Sequence, residues 1–158
     1  MLLGSNDERA AAIVADAVAI IDHSVGSVVK RSEEYRSQSY GFTSEREFVN
    51  VAVEITTEHD AYEVLRRINL IEALLGRDRT IEQQTKELTG EDYASRPIDI
   101  DIIFYGEKTF ADQRLTIPYH FLDEREYALR PVAEIAPERK HPALERTPRE
   151  MLEKLTNK

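Results

Sequence analysis

The chain has 158 residues, no cysteine and no tryptophan, with 41% hydrophobic and 32% charged residues. That length suits one domain burying about 68–70% of its unfolded surface, and the absence of cysteine excludes disulfides, thiolate metal sites and a cysteine nucleophile. With 21 Lys and Arg against 30 Asp and Glu, the net charge of −9 argues against non-specific binding to nucleic acid or an anionic membrane, so an anionic substrate has to be met by clustered arginine or by metal.

No stretch reads as a signal peptide or membrane span, so a cytoplasmic protein is expected. Met1 to Asn6 reads as a short strand running into a turn. Asp7 and Glu8 open a helix with Ile13, Val14, Ala17, Val18 and Ile21 at three- and four-residue spacing, ended by Gly26. Ser27 to about Arg36 reads as one strand, and the polar Ser37 to Glu47 stretch as a long loop suited to binding or motion. Phe48 to Ile55 restores the strand period, with Val49, Val51, Val53 and Ile55 on one face and Phe48, Asn50, Ala52 and Glu54 on the other. Ala61 to Leu75 is an amphipathic helix through Val64, Leu65, Ile68, Ile71, Leu74 and Leu75, closed by Gly76. From Arg77 a polar run to Ser95 lacks an apolar stripe and reads as a long excursion with room for a short helix. Arg96 to Tyr105 is a strand, Arg114 to Pro118 a short extended piece, Glu124 to Ile135 a helix, and a last helix begins near Pro148. The order strand, helix, strand, strand, helix, strand predicts the α+β class: a ferredoxin-like βαββαβ sandwich with C-terminal strand and helix additions, one domain over residues 1–158.

The strand near residue 100 carries the chemistry. Alternation places Asp99 and Asp101 on one face and Ile98, Ile100 and Ile102 on the other. Two carboxylates that close repel one another and are costly to bury bare. Mg²⁺ shared with substrate phosphates relieves both difficulties, and Arg96 is a fitting neighbour for a phosphate chain. A solvated sheet face without a role is the other reading of the same aspartates.

Taken in order, Leu3-Gly4-Ser5-Asn6, Phe48-Val49-Asn50, Glu72 with Leu75-Gly76-Arg77-Asp78-Arg79, Arg96 with Ile98-Asp99-Ile100-Asp101-Ile102, Arg114-Leu115-Thr116-Ile117-Pro118, Arg125 and Glu134-Ile135-Ala136-Pro137 span nearly the whole chain. In that order and spacing the chain resembles the 6-hydroxymethyl-7,8-dihydropterin pyrophosphokinase family, which moves a pyrophosphoryl group from ATP to the hydroxymethyl group of a reduced pterin. The resemblance implies that Asp99 and Asp101 hold two Mg²⁺ on the triphosphate of the co-substrate ATP. It implies positive charge from Arg77, Arg79 and Arg96, with Arg77 and Arg96 on loops that close over the site. Arg114 and Arg125 lie on the nucleotide side, where Glu72 is either a nucleotide contact or a structural ion-pair partner. Asn50 reads the pterin edge, Phe48 and Tyr127 sandwich its ring, and Ser37 and Tyr40 belong to the same substrate pocket.

The family's Pro-His is Pro118-Tyr119 here, with His120 one place on. Neighbours in an extended segment point to opposite faces, so Tyr119 is the expected phosphate contact through a neutral hydroxyl; a one-residue shift that delivers His120 is the alternative. The implied associations are small-molecule substrates, no nucleic acid or membrane partner, and a monomer. The alternative function is a relative that binds nucleotide or pterin without transfer, and retention of both aspartates weighs against it.

Overall fold

The computed structural model describes residues 1–38, 47–90 and 97–158. Strand β1 (Leu2–Ser5) is buried along its whole length and leads into helix α1 (Ala10–Ser24). Asp7 sits just ahead of α1 rather than inside it, its Oδ1 accepting from the Arg9 N–H at 3.0 Å. The apolar spacing then buries Ala10, Ile13, Val14, Ala17, Val18 and Ile21 on one side of α1.

The single strand expected from Ser27 to Arg36 is two, β2 (Ser27–Arg31) and β3 (Tyr35–Ser37), both paired with the long strand β4 (Phe48–Thr56). Between them Ser32 takes over the pairing. Its N–H donates to the Ala52 carbonyl and its hydroxyl accepts from the Ala52 N–H, both at 2.9 Å. A register shift between Val28 and Lys30 makes the local bulge.

The sheet order is β2-β4-β1-β5, antiparallel throughout, where β5 is Asp99–Asp101. This strand is much shorter than the expected Arg96 to Tyr105, because its neighbour β1 offers a ladder of only Leu2, Leu3 and Gly4 opposite Asp101, Ile100 and Asp99. Helix α2 (Ala61–Leu74) starts at Asp60, whose side chain accepts from the Glu63 N–H at 2.8 Å. Helices α1 and α2 cover one face of the sheet, in a core that includes Leu3, Val14, Val51, Ile68, Ile98 and Ile100. Leu74 does not join that core; it is 73% exposed, and the buried position near the helix end belongs to Glu72. The opposite face carries α4 (Glu126–Ile135) and α5 (Pro148–Thr156), packed with Leu2, Ala52, Ile103, Leu122, Leu129 and Met151.

Between α2 and β5 the polar run forms a full helix, α3 (Arg79–Thr89), where a loop with at most a short helix is expected. Asp78 caps it, accepting from the Thr80 and Ile81 N–H groups at 2.9 and 3.2 Å, and Gly90 ends it in the left-handed conformation at φ 74. None of its residues is buried, so there was no apolar stripe to reveal it. After β5 a hairpin of β6 (Phe110–Ala111) and β7 (Thr116–Ile117) forms a separate two-stranded sheet. The class is α+β as expected, with the elements in βαββαβ order apart from the inserted β3 and α3.

Candidate active site

Strand register builds the site. Residues paired across an antiparallel ladder share a face, so Tyr35, Asn50, Gly4 and Asp99 form one row across the sheet and Ala52, Leu2 and Asp101 the next. Ile98, Ile100 and Ile102 point the other way into the core beneath α1 and α2, which frees Asp99 and Asp101 for the opposite, half-exposed face. The Asn50 amide lies over Gly4: a Cβ on Gly4 would stand 2.5 Å from Asn50 Oδ1. Asn50 itself is buried, and its Nδ2 has no hydrogen-bond partner among the described residues; the same holds for the Ser37 hydroxyl two pairs along the β3–β4 ladder. Buried donors left in that state point to a polar ligand.

Behind the aspartates lies an ion-pair network. Glu72, with its side chain 2% exposed, accepts from Arg77 Nη1 at 2.5 Å, from Arg79 Nη2 at 2.9 Å and from the Ile100 N–H at 3.1 Å. Arg77, 3% exposed, also donates from Nη1 to Asp99 Oδ1 at 2.8 Å and from Nε to Glu82 at 2.9 Å. Burial pushes the Glu72 carboxyl up against the pull of Arg77. Burial likewise opposes the Arg77 charge, but Glu82, Asp99 and Glu72 outweigh it and raise its pKa. Arg77 therefore joins the far end of α2 to the aspartate strand rather than lying on an open loop. Glu72 stands in its ion-pair role. Arg79 keeps one guanidinium edge on Glu72 while 60% exposed.

The hydroxyls of Tyr119 and Tyr127 approach to 3.3 Å. Burial raises both phenol pKa values, and the charges of Asp101 and Asp99 raise them further, so both rings lie within electrostatic reach of the carboxylates. Tyr119 is thus turned inward, its N–H bonded to the Ile103 carbonyl at 3.0 Å. His120 is exposed and packs edge-on against Phe121, whose ring also lies under Arg125 at 4.8 Å. Arg114 lies over the Tyr62 ring at 5.0 Å and lines a cavity of about 460 Å³ with Leu65, Arg66, Asn69 and Leu70 of α2. Phe48 lies two residues before Asn50 on the same face of β4, paired with Ser37. Tyr40 and Arg96 lie outside the described residues. Sequence reasoning missed Glu82, although an acid in the first turn of a capped helix, five residues after Arg77, was there to be read. It also missed the dependence of Asn50 on the bare backbone of Gly4.

Two carboxylates thus share one sheet face, with an arginine braced behind Asp99 and, beside them, an amide Nδ2 that has no hydrogen-bond partner among the described residues. Residues 1–137 match the family described as 7,8-dihydro-6-hydroxymethylpterin-pyrophosphokinase, and the chain belongs to that family. It is 39% identical over 137 residues to a 2-amino-4-hydroxy-6-hydroxymethyldihydropteridine pyrophosphokinase of Methylorubrum extorquens, covering 86% of this chain and 80% of that one. To the enzyme of the same name from Bacillus subtilis it is 31% identical over 134 residues, covering 84% and 74%. It is also 30% identical to the folic acid synthesis protein fol1 of Pneumocystis carinii, across 89% of this chain but 18% of that much longer protein.

Proposed function

We propose that the sheet face bearing Asn50, Asp99 and Asp101 is the site at which this enzyme of folate biosynthesis transfers pyrophosphate from ATP to 6-hydroxymethyl-7,8-dihydropterin. The hydroxymethyl oxygen forms a bond to the β-phosphorus of ATP while the bond between that phosphorus and the α,β-bridging oxygen breaks. The electron pair leaves with AMP, and the hydroxyl proton is released. The observation that carries this reading is the pairing of Asp99 and Asp101 on one half-exposed face with Arg77 braced against Asp99.

The donor set suits Mg²⁺. Among the described residues no group of three or more acidic, His or Cys side chains is placed to hold a metal ion, and two carboxylates leave the remaining positions to water and phosphate, as Mg²⁺ prefers. Asp99 and Asp101 would hold two such ions, which supply charge neutralisation on the triphosphate when bound. The chain's own side chains orient the reactants. Asn50 and Ser37 offer buried polar groups to the pterin edge, with Phe48 and Tyr127 against its ring and Tyr40 in the same pocket. Arg77, Arg79 and Arg96 meet the transferring phosphates. Arg114, Arg125 and the inward Tyr119 serve the nucleotide side, Glu72 acts there by fixing Arg77 and Arg79, and His120 stays outside. The reading takes the enzyme to act on these small molecules as a cytoplasmic monomer. No helix among the described residues is long and apolar enough to cross a membrane.

The test is AMP formation from ATP that depends on both added Mg²⁺ and added reduced hydroxymethylpterin. AMP formed at the same rate without the pterin would reject the reading.

A further inference from the structure

The two edges of the Arg77 guanidinium have different owners. Nη1 bridges Glu72 and Asp99, both fixed in the body of the domain, whereas Nε and Nη2 reach Glu82 of α3 at 2.9 and 3.4 Å. Helix α3 buries none of its own side chains, so hydrogen-bonded ion pairs near its start, Arg77 to Glu82 and Arg79 to Glu72, link it to the domain. A metal ion held by Asp99 would share that carboxylate with the Arg77 guanidinium and would weaken the Arg77 contact. An arginine released from that contact regains rotamer freedom unless its other edge is held. Resting on the reading of Asp99 as a metal-holding carboxylate and Arg77 as a phosphate arginine, we propose that Glu82 is a positioning residue for the transfer, gripping the α3-facing edge of Arg77 so that its other edge can pass from Asp99 to the phosphate chain.

The experiment compares the parent with E82A, E82Q, R77A and the R77A/E82A pair under saturating ATP and pterin. Misplacing a reacting-group contact costs on the order of 10²-fold in rate, and a loss of that order in kcat is expected for E82A. The KM for pterin should stay within about twofold of the parent. E82Q, which keeps the shape and a neutral acceptor, should lose less. In the R77A background, E82A should add nothing, since a residue acting through another has no separate effect once the other is gone. Ligand-free hydrogen exchange over residues 79–89 should rise in E82A. A kcat for E82A near the parent value, or an equal loss on top of R77A, overturns the proposal. Absence of pterin-dependent AMP formation in the parent defeats the functional reading instead; in that case unchanged exchange of α3 in E82A overturns the role of Glu82 by itself.

Discussion

The two faces of the central sheet are made by the same strands and do opposite work. Beneath α1 and α2 the strands contribute aliphatic side chains: Leu3 from β1, Val51 and Val53 from β4, Ile100 from β5. On the other face Leu2 and Ala52 pack under α4 and α5, but one row further along the strands the residues are Asn50, Gly4 and Asp99. Period-two alternation lets a strand of a few residues anchor itself with one set of side chains and present the other to the proposed site. Damage to stability and damage to function should therefore be separable within single strands.

The largest effect is expected on the aliphatic face. Ile68→Ala empties a fully buried position and should cost about 2–5 kcal/mol of unfolding free energy, read by urea denaturation, while the folded fraction keeps its KM for both substrates. A large KM change with stability intact would show that the faces are not independent. Asp101→Asn is the converse: pterin-dependent AMP formation should fall by about 10²–10³-fold with the unfolding midpoint unchanged, and parent-like turnover would move the metal site elsewhere. Asn50→Ala should weaken pterin binding by about 1–3 kcal/mol, measured by calorimetry; unchanged affinity in a folded variant removes Asn50 from the pocket.

The smallest expected effect is that of Tyr119→Phe, about 0.5–1.5 kcal/mol in ATP affinity for one neutral hydrogen bond. Burial, the Tyr127 hydroxyl and the two aspartates push the Tyr119 pKa well above its ordinary value. The phenol stays protonated through the neutral range, and its contribution should not change with pH there. His120→Ala should cost less than Tyr119→Phe. The reverse order would mean that the histidine, not the tyrosine, meets the phosphates.

How much of this was legible follows from where the information resides. The alternation of β4 and the split of Asp99 and Asp101 from Ile98, Ile100 and Ile102 are local, and both are found as read. The break of the second strand into β2 and β3 depends on Ser32 bonding Ala52, a contact between residues distant in sequence that no local pattern encodes. Helix α3 escaped because period-based reading looks for a buried stripe and α3 has none; its Asp78 cap and Gly90 stop were the available signals. Nor did the arginines give away their separate fates. Arg77 is locked among Glu72, Glu82 and Asp99 while Arg114 stacks on Tyr62, and in one dimension both are simply positive.

Gly4 is not at positive φ, unlike Gly76, Gly90 and Gly106, so backbone torsion does not demand a glycine there. What demands it is the volume of the Asn50 amide lying over it. Positions 4 and 50, far apart in the chain and opposite each other in the sheet, behave as a single choice. A methyl group at the first is tolerated only if the second shrinks or turns away, and either adjustment would take the amide from the pterin edge proposed for it. Libraries that vary the two sites independently should be dominated by steric clashes, and functional members should return them only as a linked pair.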